Sequence, residues 1–187
     1  MQSIQTVSEN TIYVGASDRR LAKFENLFPI PRGVSYNAYV ILDEKTALLD
    51  TADASVGAQF LENVAAALDG RKLDYLIVDH MEPDHGAMIE AVLVRWPDLR
   101  LVVNAKTLPM LKMYFPTDSA AIDDALVVKE GDTLDLGKHK LTFVMAPMVH
   151  WPEVMMTFDT TTGTLFSADA FGTFGALEGA LFADEVD

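Results

Sequence analysis

The chain has 187 residues, half of them hydrophobic, and this length and composition predict one globular domain with a substantial core. Its formal net charge of −14 argues against nucleic acid or an anionic membrane as a partner, because phosphate groups repel such a surface. The chain has no cysteine, which excludes disulfides, thiolate metal ligands and a cysteine nucleophile within it. No apolar run approaches the roughly 18 residues of a membrane span, and residues 1–9 lack a signal-peptide pattern. We therefore expect a cytoplasmic protein.

The first part of the chain predicts strands and a hairpin that lead into a helix. A strand is expected over residues 10–15, followed by an irregular segment. Residues 35–42 and 46–50 flank a polar turn and predict a β-hairpin. An amphipathic helix follows over residues 56–68 and ends at Asp69-Gly70.

The middle of the chain alternates short apolar runs with helical patterns, which is typical of β-α-β units. The predicted order is a buried strand (73–78), a helix (86–96), a strand (99–104), a helix with Pro109 in its first turn (106–115) and a polar linker (118–124).

The last part predicts a β-meander and a second hairpin. The meander is expected over 126–128, 132–137 and 140–147, and the hairpin over 153–159 and 164–169. Residues 170–187 form an acidic, turn-rich tail. Hairpins at both ends with β-α-β units between them predict an α/β domain whose mixed sheets are covered by helices.

The loop after strand 73–78, residues 79–85 (DHMEPDH), carries two of the chain's four histidines and three of its acids. The chemistry of a parallel sheet usually lies in such a loop, where a strand ends and a helix begins. His80, Glu82 and Asp84 alternate, so their side chains can converge, and His85 stands at the helix entrance. Imidazoles and carboxylates are metal ligands by type. The alternative is a solvated loop with chance histidines.

Two more side chains of the same kind follow predicted strands further along the chain, His150 and Asp169. The full set is therefore His80, Glu82, Asp84, His85, His150 and Asp169. Six ligands are too many for one closed structural zinc site, and they predict a binuclear site with a bridging carboxylate. A sulfur-free set of oxygens and nitrogens favours iron or manganese, while zinc stays open on ligand type alone.

The loop resembles the metallo-β-lactamase signature with its second histidine replaced by Glu82, which is the mark of the flavodiiron proteins (A-type flavoproteins). The resemblance covers nearly the whole chain. It is also carried by residues 25–31 (ENLFPIP), 33–37 (GVSYN), 146–153 (APMVHWPE) and 166–172 (FSADAFG).

This resemblance implies a metallo-β-lactamase-like αββα fold and a centre of two iron ions. His80, Glu82 and His150 would hold one iron, Asp84 and His85 the other, and Asp169 would bridge them. The implied reaction reduces dioxygen to water or nitric oxide to nitrous oxide. FMN in a flavodoxin domain would supply electrons across a head-to-tail homodimer, and a flavodoxin-type or rubredoxin-type donor is the implied partner.

The sequence departs from the family's pattern at its C-terminal end. No histidine follows His150, so the family's last histidine ligand and its FMN-bearing flavodoxin domain are missing from residues 1–187. We therefore expect a partial diiron domain, with FMN supplied by a missing domain or a partner. A flavin-free, oxygen-binding diiron sensor is a second hypothesis. A zinc hydrolase of the metallo-β-lactamase fold is a third, against which Glu82 argues.

Four other residues invite a functional or a structural interpretation. Asp50 ends a strand and either orients a ligand histidine or caps the following turn. Trp151 either lines the substrate pocket or packs beside His150. His139, in a charged turn, is expected to be exposed, and Ser167 lacks a suitably spaced histidine to act as a nucleophile.

Overall fold

The computed structural model describes residues 4–116 and 120–185. Residues 1–3, 117–119 and 186–187 lie outside these ranges, and they include Asp118 and Ser119 of the predicted polar linker. Within the described ranges, no helix has both the length and the apolar character needed to cross a membrane.

In the described part of the chain, eight short strands precede the first α-helix, and strands and helices alternate after it up to the strand over Leu126–Val128. In chain order the strands are β1 (Gln5–Ser8), β2 (Thr11–Tyr13), β3 (Ala16–Asp18), β4 (Lys23–Phe24), β5 (Phe28–Pro29), β6 (Val34–Tyr36), β7 (Tyr39–Leu42), β8 (Thr46–Leu49), β9 (Tyr75–Ile77), β10 (Arg100–Asn104), β11 (Leu126–Val128), β12 (Thr133–Asp135), β13 (Lys140–Met145), β14 (Met155–Asp159) and β15 (Thr164–Phe166). The α-helices are α1 (Gly57–Leu68), α2 (Pro83–Gly86), α3 (Ile89–Arg95), α4 (Thr107–Tyr114) and α5 (Ala120–Asp123), and the 3₁₀ helices are Ala54–Val56 and Ala183–Glu185.

Two larger sheets form the body of the domain. The first has seven strands in the order β1-β2-β7-β8-β9-β10-β11, antiparallel up to β8 and parallel from β8 onward. The second is an antiparallel sheet of four strands in the order β12-β13-β14-β15. The parallel pairs are the ones connected through helices, as crossover connections require.

The first sheet is buried on both faces, which explains its apolar strands. Along β8, Leu48 points into a core shared with α1, whereas Ala47 and Leu49 point into a core shared with the second sheet. The same alternation places Leu76 and Ile77 of β9 in opposite cores. The layers are therefore helices, sheet and sheet, which confirms the predicted α/β class with mixed sheets.

Several predicted elements are confirmed. The β7–β8 and β14–β15 hairpins form where expected, and α1 ends at Asp69, which takes the left-handed conformation of a helix C-terminus (φ 46°). The helix predicted over 86–96 is present as two segments, α2 and α3, and it begins earlier because Pro83 occupies the first turn of α2.

Two predictions about the later elements are wrong, the first of them in part. Strands β12 and β13 of the predicted meander pair antiparallel as expected, but β11 pairs in parallel with β10 in the first sheet instead of joining them. The predicted linker contains the short helix α5, whose Ile122 is buried in the helix-side core. Strands β1 and β3 were not predicted, since neither shows a clear hydrophobic alternation.

The strand directions bring the candidate residues to one edge of the sandwich. Strands β8 and β9 run parallel, so the residues after Leu49 and Ile77 leave the first sheet at the same edge. Asp79, just beyond β9, ties the two sheets together there. Its backbone carbonyl accepts a hydrogen bond from the Met155 amide at 3.0 Å, and its carboxylate accepts one from the Thr157 hydroxyl at 2.8 Å.

Candidate metal centre

The loop that follows β9 buries most of its polar side chains. His80 is 0% exposed, and Glu82 and His85 are nearly as inaccessible. Pro83 starts α2 directly after Glu82, so Asp84 and His85 are presented from the first turns of a helix. Buried ionisable groups are costly unless they are paired or bind a metal, so this loop requires partners from elsewhere in the fold.

His150 and Asp169 supply those partners from the second sheet. His150 lies in the loop after β13 and Asp169 lies after β15, and both strands end at the edge described above. The Nε2 atom of His150 lies 2.7 Å from Oε2 of Glu82, and Nε2 of His80 lies 3.2 Å from the same oxygen. One ligand atom from each of His80, Glu82, His150 and Asp169 falls within 4.8 Å of the others.

A second group of ligand atoms, from Asp84, His85 and Asp169, meets the same 4.8 Å limit. Asp169 belongs to both groups, and its two oxygens divide between them. Oδ2 lies 3.3 Å from Nε2 of His80 and 3.2 Å from Nε2 of His150, whereas Oδ1 lies 2.8 Å from Nε2 of His85. The structure therefore brings together all six residues singled out in the sequence, in two adjacent clusters that share one carboxylate.

Two buried carboxylates stand behind the imidazoles. Nδ1 of His80 lies 2.7 Å from Oε1 of Glu153, and Nδ1 of His85 lies 2.9 Å from Oδ2 of Asp50. These contacts leave Nε2 of both rings facing the clusters. The orienting role considered for Asp50 thus matches its position, whereas Glu153 was missed as a partner of His80. The signals that could have found it are its place three residues after His150 and its position in the stretch 146–153 that carries the family resemblance.

The charges of the centre explain what it attracts. Burial opposes protonation of His80, yet hydrogen bonds to Asp169 and Glu153 raise the pKa of its imidazole to about 10. The pKa of His85 is likewise held well above its ordinary value, against burial, by hydrogen bonds to Asp169 and Asp50. Burial disfavours the charged form of Asp169, but the same two imidazoles lower its pKa well below the usual range. The carboxylates thus draw positive charge into the centre, as protons or as cations.

The donor set fits metal ions. Burial raises the pKa of Asp84 to about 6, and its Oδ1 atom is buried without a hydrogen-bond partner among the described residues. An uncompensated buried carboxylate oxygen of this kind is satisfied by a bound cation. With carboxylates and imidazoles but no sulfur, the set suits iron or manganese.

A cavity of about 460 Å³ opens onto the centre. Glu82, Asp84, His85, His150 and Asp169 form one wall, and aromatic side chains including Phe24, Phe28, Tyr36 and Phe174 form others. The rings of Phe24 and Phe174 lie 5.1 Å apart, and those of Phe28 and Phe174 lie 6.2 Å apart. The cavity therefore has one polar wall formed by the candidate metal ligands and an apolar wall formed by aromatic rings.

The other three residues considered in the sequence, Trp151, His139 and Ser167, make structural contacts. Trp151 packs edge-on against His80 with ring centroids 5.4 Å apart and is not among the described residues that line the cavity. The prediction that His139 is exposed is wrong. Its side chain is fully buried, and its Nδ1 atom lies 2.8 Å from Oδ2 of Asp159. The Ser167 hydroxyl donates to the carbonyl of Ala170, in keeping with a turn residue.

Comparisons with known proteins agree with this arrangement. The family model described as "ODP family beta lactamase" matches residues 34–187. The "Anaerobic nitric oxide reductase flavorubredoxin" of Klebsiella pneumoniae is 37% identical over 183 residues, which cover 97% of this chain and 37% of that protein.

Solved structures show the same fold. The rubredoxin oxygen:oxidoreductase of Desulfovibrio gigas superposes with a TM-score of 0.92 at 30% identity, covering 99% of this chain and 45% of that one. The flavodiiron protein of Giardia intestinalis gives a TM-score of 0.89 at 27% identity, covering 99% of this chain and 44% of that one. The chain thus spans less than half the length of these relatives. Its sequence and fold show that it belongs to the ODP family of β-lactamase-like domains and resembles the diiron domain of the flavodiiron proteins.

Proposed function

We propose that this chain is the diiron module of an oxidoreductase that reduces dioxygen or nitric oxide. The observation that carries the proposal is the position of Asp169, whose two carboxylate oxygens face two separate groups of ligands. A carboxylate shared in this way is what a pair of metal ions requires. The names of the relatives, which include a nitric oxide reductase and an oxygen oxidoreductase, support the choice of reaction.

In this proposal His80, Glu82 and His150 hold one iron, Asp84 and His85 hold the other, and Asp169 bridges them. Glu82 is central to the choice of metal, because it puts an oxygen donor between the two imidazoles of the first cluster. Carboxylate-rich, sulfur-free ligands favour iron over metals that prefer thiolate or imidazole alone.

The bound iron pair would supply electrons to a diatomic substrate and a place for it to bind. The chain's own residues prepare that place. Asp50 orients the imidazole of His85, so that Nε2 of this ring faces inward. The aromatic side chains of Phe24, Phe28 and Phe174 give the cavity an apolar wall, which suits a small uncharged gas.

Electrons would arrive from outside the described residues. We propose an FMN-bearing, flavodoxin-type domain or partner as the donor, or a rubredoxin-type protein, in a head-to-tail homodimer. The relatives' names, flavorubredoxin and rubredoxin oxygen:oxidoreductase, support a donor of this kind. A flavin-free sensor would bind oxygen at the same centre without such a donor.

The proposal is tested by anaerobic titration of the metal-free chain with Fe²⁺, followed by metal analysis and by assays of oxygen and nitric oxide consumption with a reduced flavoprotein. We expect up to two irons per chain and a slow consumption of at least one gas that depends on the donor. Iron and oxygen binding without consumption would favour the sensor. Binding of Zn²⁺ in preference to Fe²⁺, together with hydrolysis of ester or lactam substrates, would favour the hydrolase.

A further inference from the structure

We propose that Glu153 is the positioning residue for His80: it holds the imidazole through Nδ1 so that Nε2 points at the first metal cluster. The inference rests on the metal centre proposed above and concerns a residue outside the six ligands. The observations that support it are the hydrogen bonds of the Glu153 carboxylate, its burial and the hydrogen bond that holds its backbone.

Glu153 meets the loop of the metal centre from the opposite sheet. Its Oε1 atom lies 2.7 Å from Nδ1 of His80 and also accepts a hydrogen bond from the backbone amide of Met81 at 3.0 Å. One oxygen thus fixes both the ring of His80 and the backbone of the next residue. Because a ring nitrogen that donates to a carboxylate is protonated, the opposite nitrogen is the one left for a metal.

The backbone of Glu153 is fixed as well. Its carbonyl accepts a hydrogen bond from the side-chain amide of Asn104. Asn104 ends β10, and its side-chain oxygen accepts hydrogen bonds from the amides of Lys106 and Thr107 at the start of α4. The carboxylate behind His80 is therefore held by a buried contact between the two sheets.

Burying the carboxylate of Glu153 destabilises the folded state, because the described residues leave one of its oxygens unpaired. Glu153 is 1% exposed, and its Oε2 atom has no hydrogen-bond partner among the described residues. Leaving a buried oxygen unpaired raises the free energy of the folded state. An apolar side chain of the same size would avoid the cost, so packing alone does not account for a glutamate here.

The three histidines of the centre differ in burial and in whether a carboxylate lies beside Nδ1. His80 and His85 are buried, and each has a carboxylate within 2.9 Å of Nδ1. His150 has a side chain that is 57% exposed, and its Nε2 atom makes the hydrogen bond to Glu82. Loss of Glu153 should therefore act on the cluster that contains His80, while the cluster of Asp84 and His85 keeps its own support from Asp50.

The test compares Fe²⁺ binding by the parent chain, Glu153→Leu and Glu153→Gln under anaerobic conditions. Leucine removes both acceptors at similar volume, whereas glutamine keeps one oxygen for the same two N–H groups. Asp159→Asn is the matched control, because Asp159 is a buried carboxylate that pairs with His139 in the same sheet but away from the six ligands. Loss of a carboxylate behind a ligand histidine typically weakens metal binding about 10–100-fold.

We expect Glu153→Leu to weaken one of the two iron sites by about 10–100-fold, Glu153→Gln to recover most of the affinity, and Asp159→Asn to leave it unchanged. With ¹⁵N-labelled histidine and Zn²⁺ as a diamagnetic probe, the Nδ1 proton of His80 should resonate far downfield in the parent and lose that shift in Glu153→Leu. Rescue by glutamine and the proton signal are readouts that a purely structural role would not move.

Unchanged iron affinity in Glu153→Leu would overturn the inference while leaving the proposed function intact. Equal weakening by Glu153→Leu and Asp159→Asn would also overturn it, since that result means general loosening of the sheet. If Glu153→Leu does not fold, Glu153→Gln decides: its neutral oxygen is a weaker acceptor, so an unmoved His80 proton signal refutes the inference. Failure of the parent chain to bind iron would instead refute the proposed function, and this inference with it.

Discussion

Oδ1 of Asp169 lies 2.8 Å from Nε2 of His85, while Oδ2 of the same carboxylate turns toward His80 and His150. One side chain after β15 thus reaches both clusters. We predict that Asp169→Ala loosens both metals together, so that the iron retained after anaerobic desalting falls toward zero from whatever amount the parent chain retains. Asp135→Ala, an exposed acid on β12, serves as the control. Retention of one tightly held ion in Asp169→Ala would show that this carboxylate serves only one site.

Glu82 places an oxygen between His80 and His150, at 3.2 Å and 2.7 Å from their Nε2 atoms. We predict that Glu82→His shifts the bound metal from iron toward zinc and abolishes gas reduction, because an all-imidazole face favours zinc. Competitive loading with equimolar Fe²⁺ and Zn²⁺, followed by metal analysis, measures the shift. Glu90→His, an exposed substitution on α3, is the control. An unchanged iron-to-zinc ratio in Glu82→His would count against this role for the carboxylate.

The two clusters offer different numbers of ligands, four around His80 and three around His85. We predict that this chain by itself binds its first Fe²⁺ more tightly than its second, and that its reductase activity is very low even with a flavin donor. Fewer ligands weaken a metal site directly. Anaerobic titration followed by spectroscopy should resolve two steps. Two equally tight sites, or rapid turnover, would contradict the ligand assignment.

The raised pKa values of His80 and His85 predict how the metal-free chain responds to pH. A group whose pKa is raised on folding stabilises the fold fully below its unfolded value, about 6.5 for histidine, and loses that contribution as the pH rises. For His80 the loss runs up to its folded pKa of about 10. We therefore predict that the free energy of unfolding falls between about pH 6.5 and pH 10.

Urea unfolding of the metal-free chain at about pH 6, 8 and 10 measures this fall. His80→Gln should show a smaller decline, because one of the two imidazoles whose pKa values are raised on folding is gone. Saturating Fe²⁺ should also reduce the decline, because metal binding requires the imidazoles to be deprotonated. A decline of the same size in His80→Gln and the parent would show that other groups control stability over this range.

The buried pair of His139 and Asp159 predicts a stability effect without a metal effect. Asp159 also accepts hydrogen bonds from the hydroxyl of Thr162 and the amide of Thr161, so its carboxylate organises the β14–β15 turn. Asp159→Asn should lower the free energy of unfolding by about 1–3 kcal/mol, since it weakens a buried, charge-assisted network. Denaturant unfolding checks the loss, and Thr160→Ser, a mild change at an exposed neighbour, is the control. Stability equal to that of the parent would mean that the pair contributes little.

The local sequence was enough to predict much of this protein. The alternation of apolar residues predicted both hairpins and α1, because a strand or helix with one buried face has a fixed period. The position of His80, Glu82, Asp84 and His85 at the end of a buried run pointed to a metal-binding loop, since these residue types in one short segment are costly to bury without partners. His150 and Asp169 were recognised by the same rule at other strand ends.

Tertiary structure decided what depends on contacts between distant segments. The pairing of β11 with β10, the burial of His139 against Asp159 and the contact of Glu153 with His80 join residues that no local pattern connects. The division of Asp169 between two clusters is of the same kind. Hydrophobic periodicity specifies which face of an element is buried, but not which element covers it. The sequence by itself therefore determined which ligand types this chain carries, and only the packing of the two sheets decided which oxygen or nitrogen faces which partner.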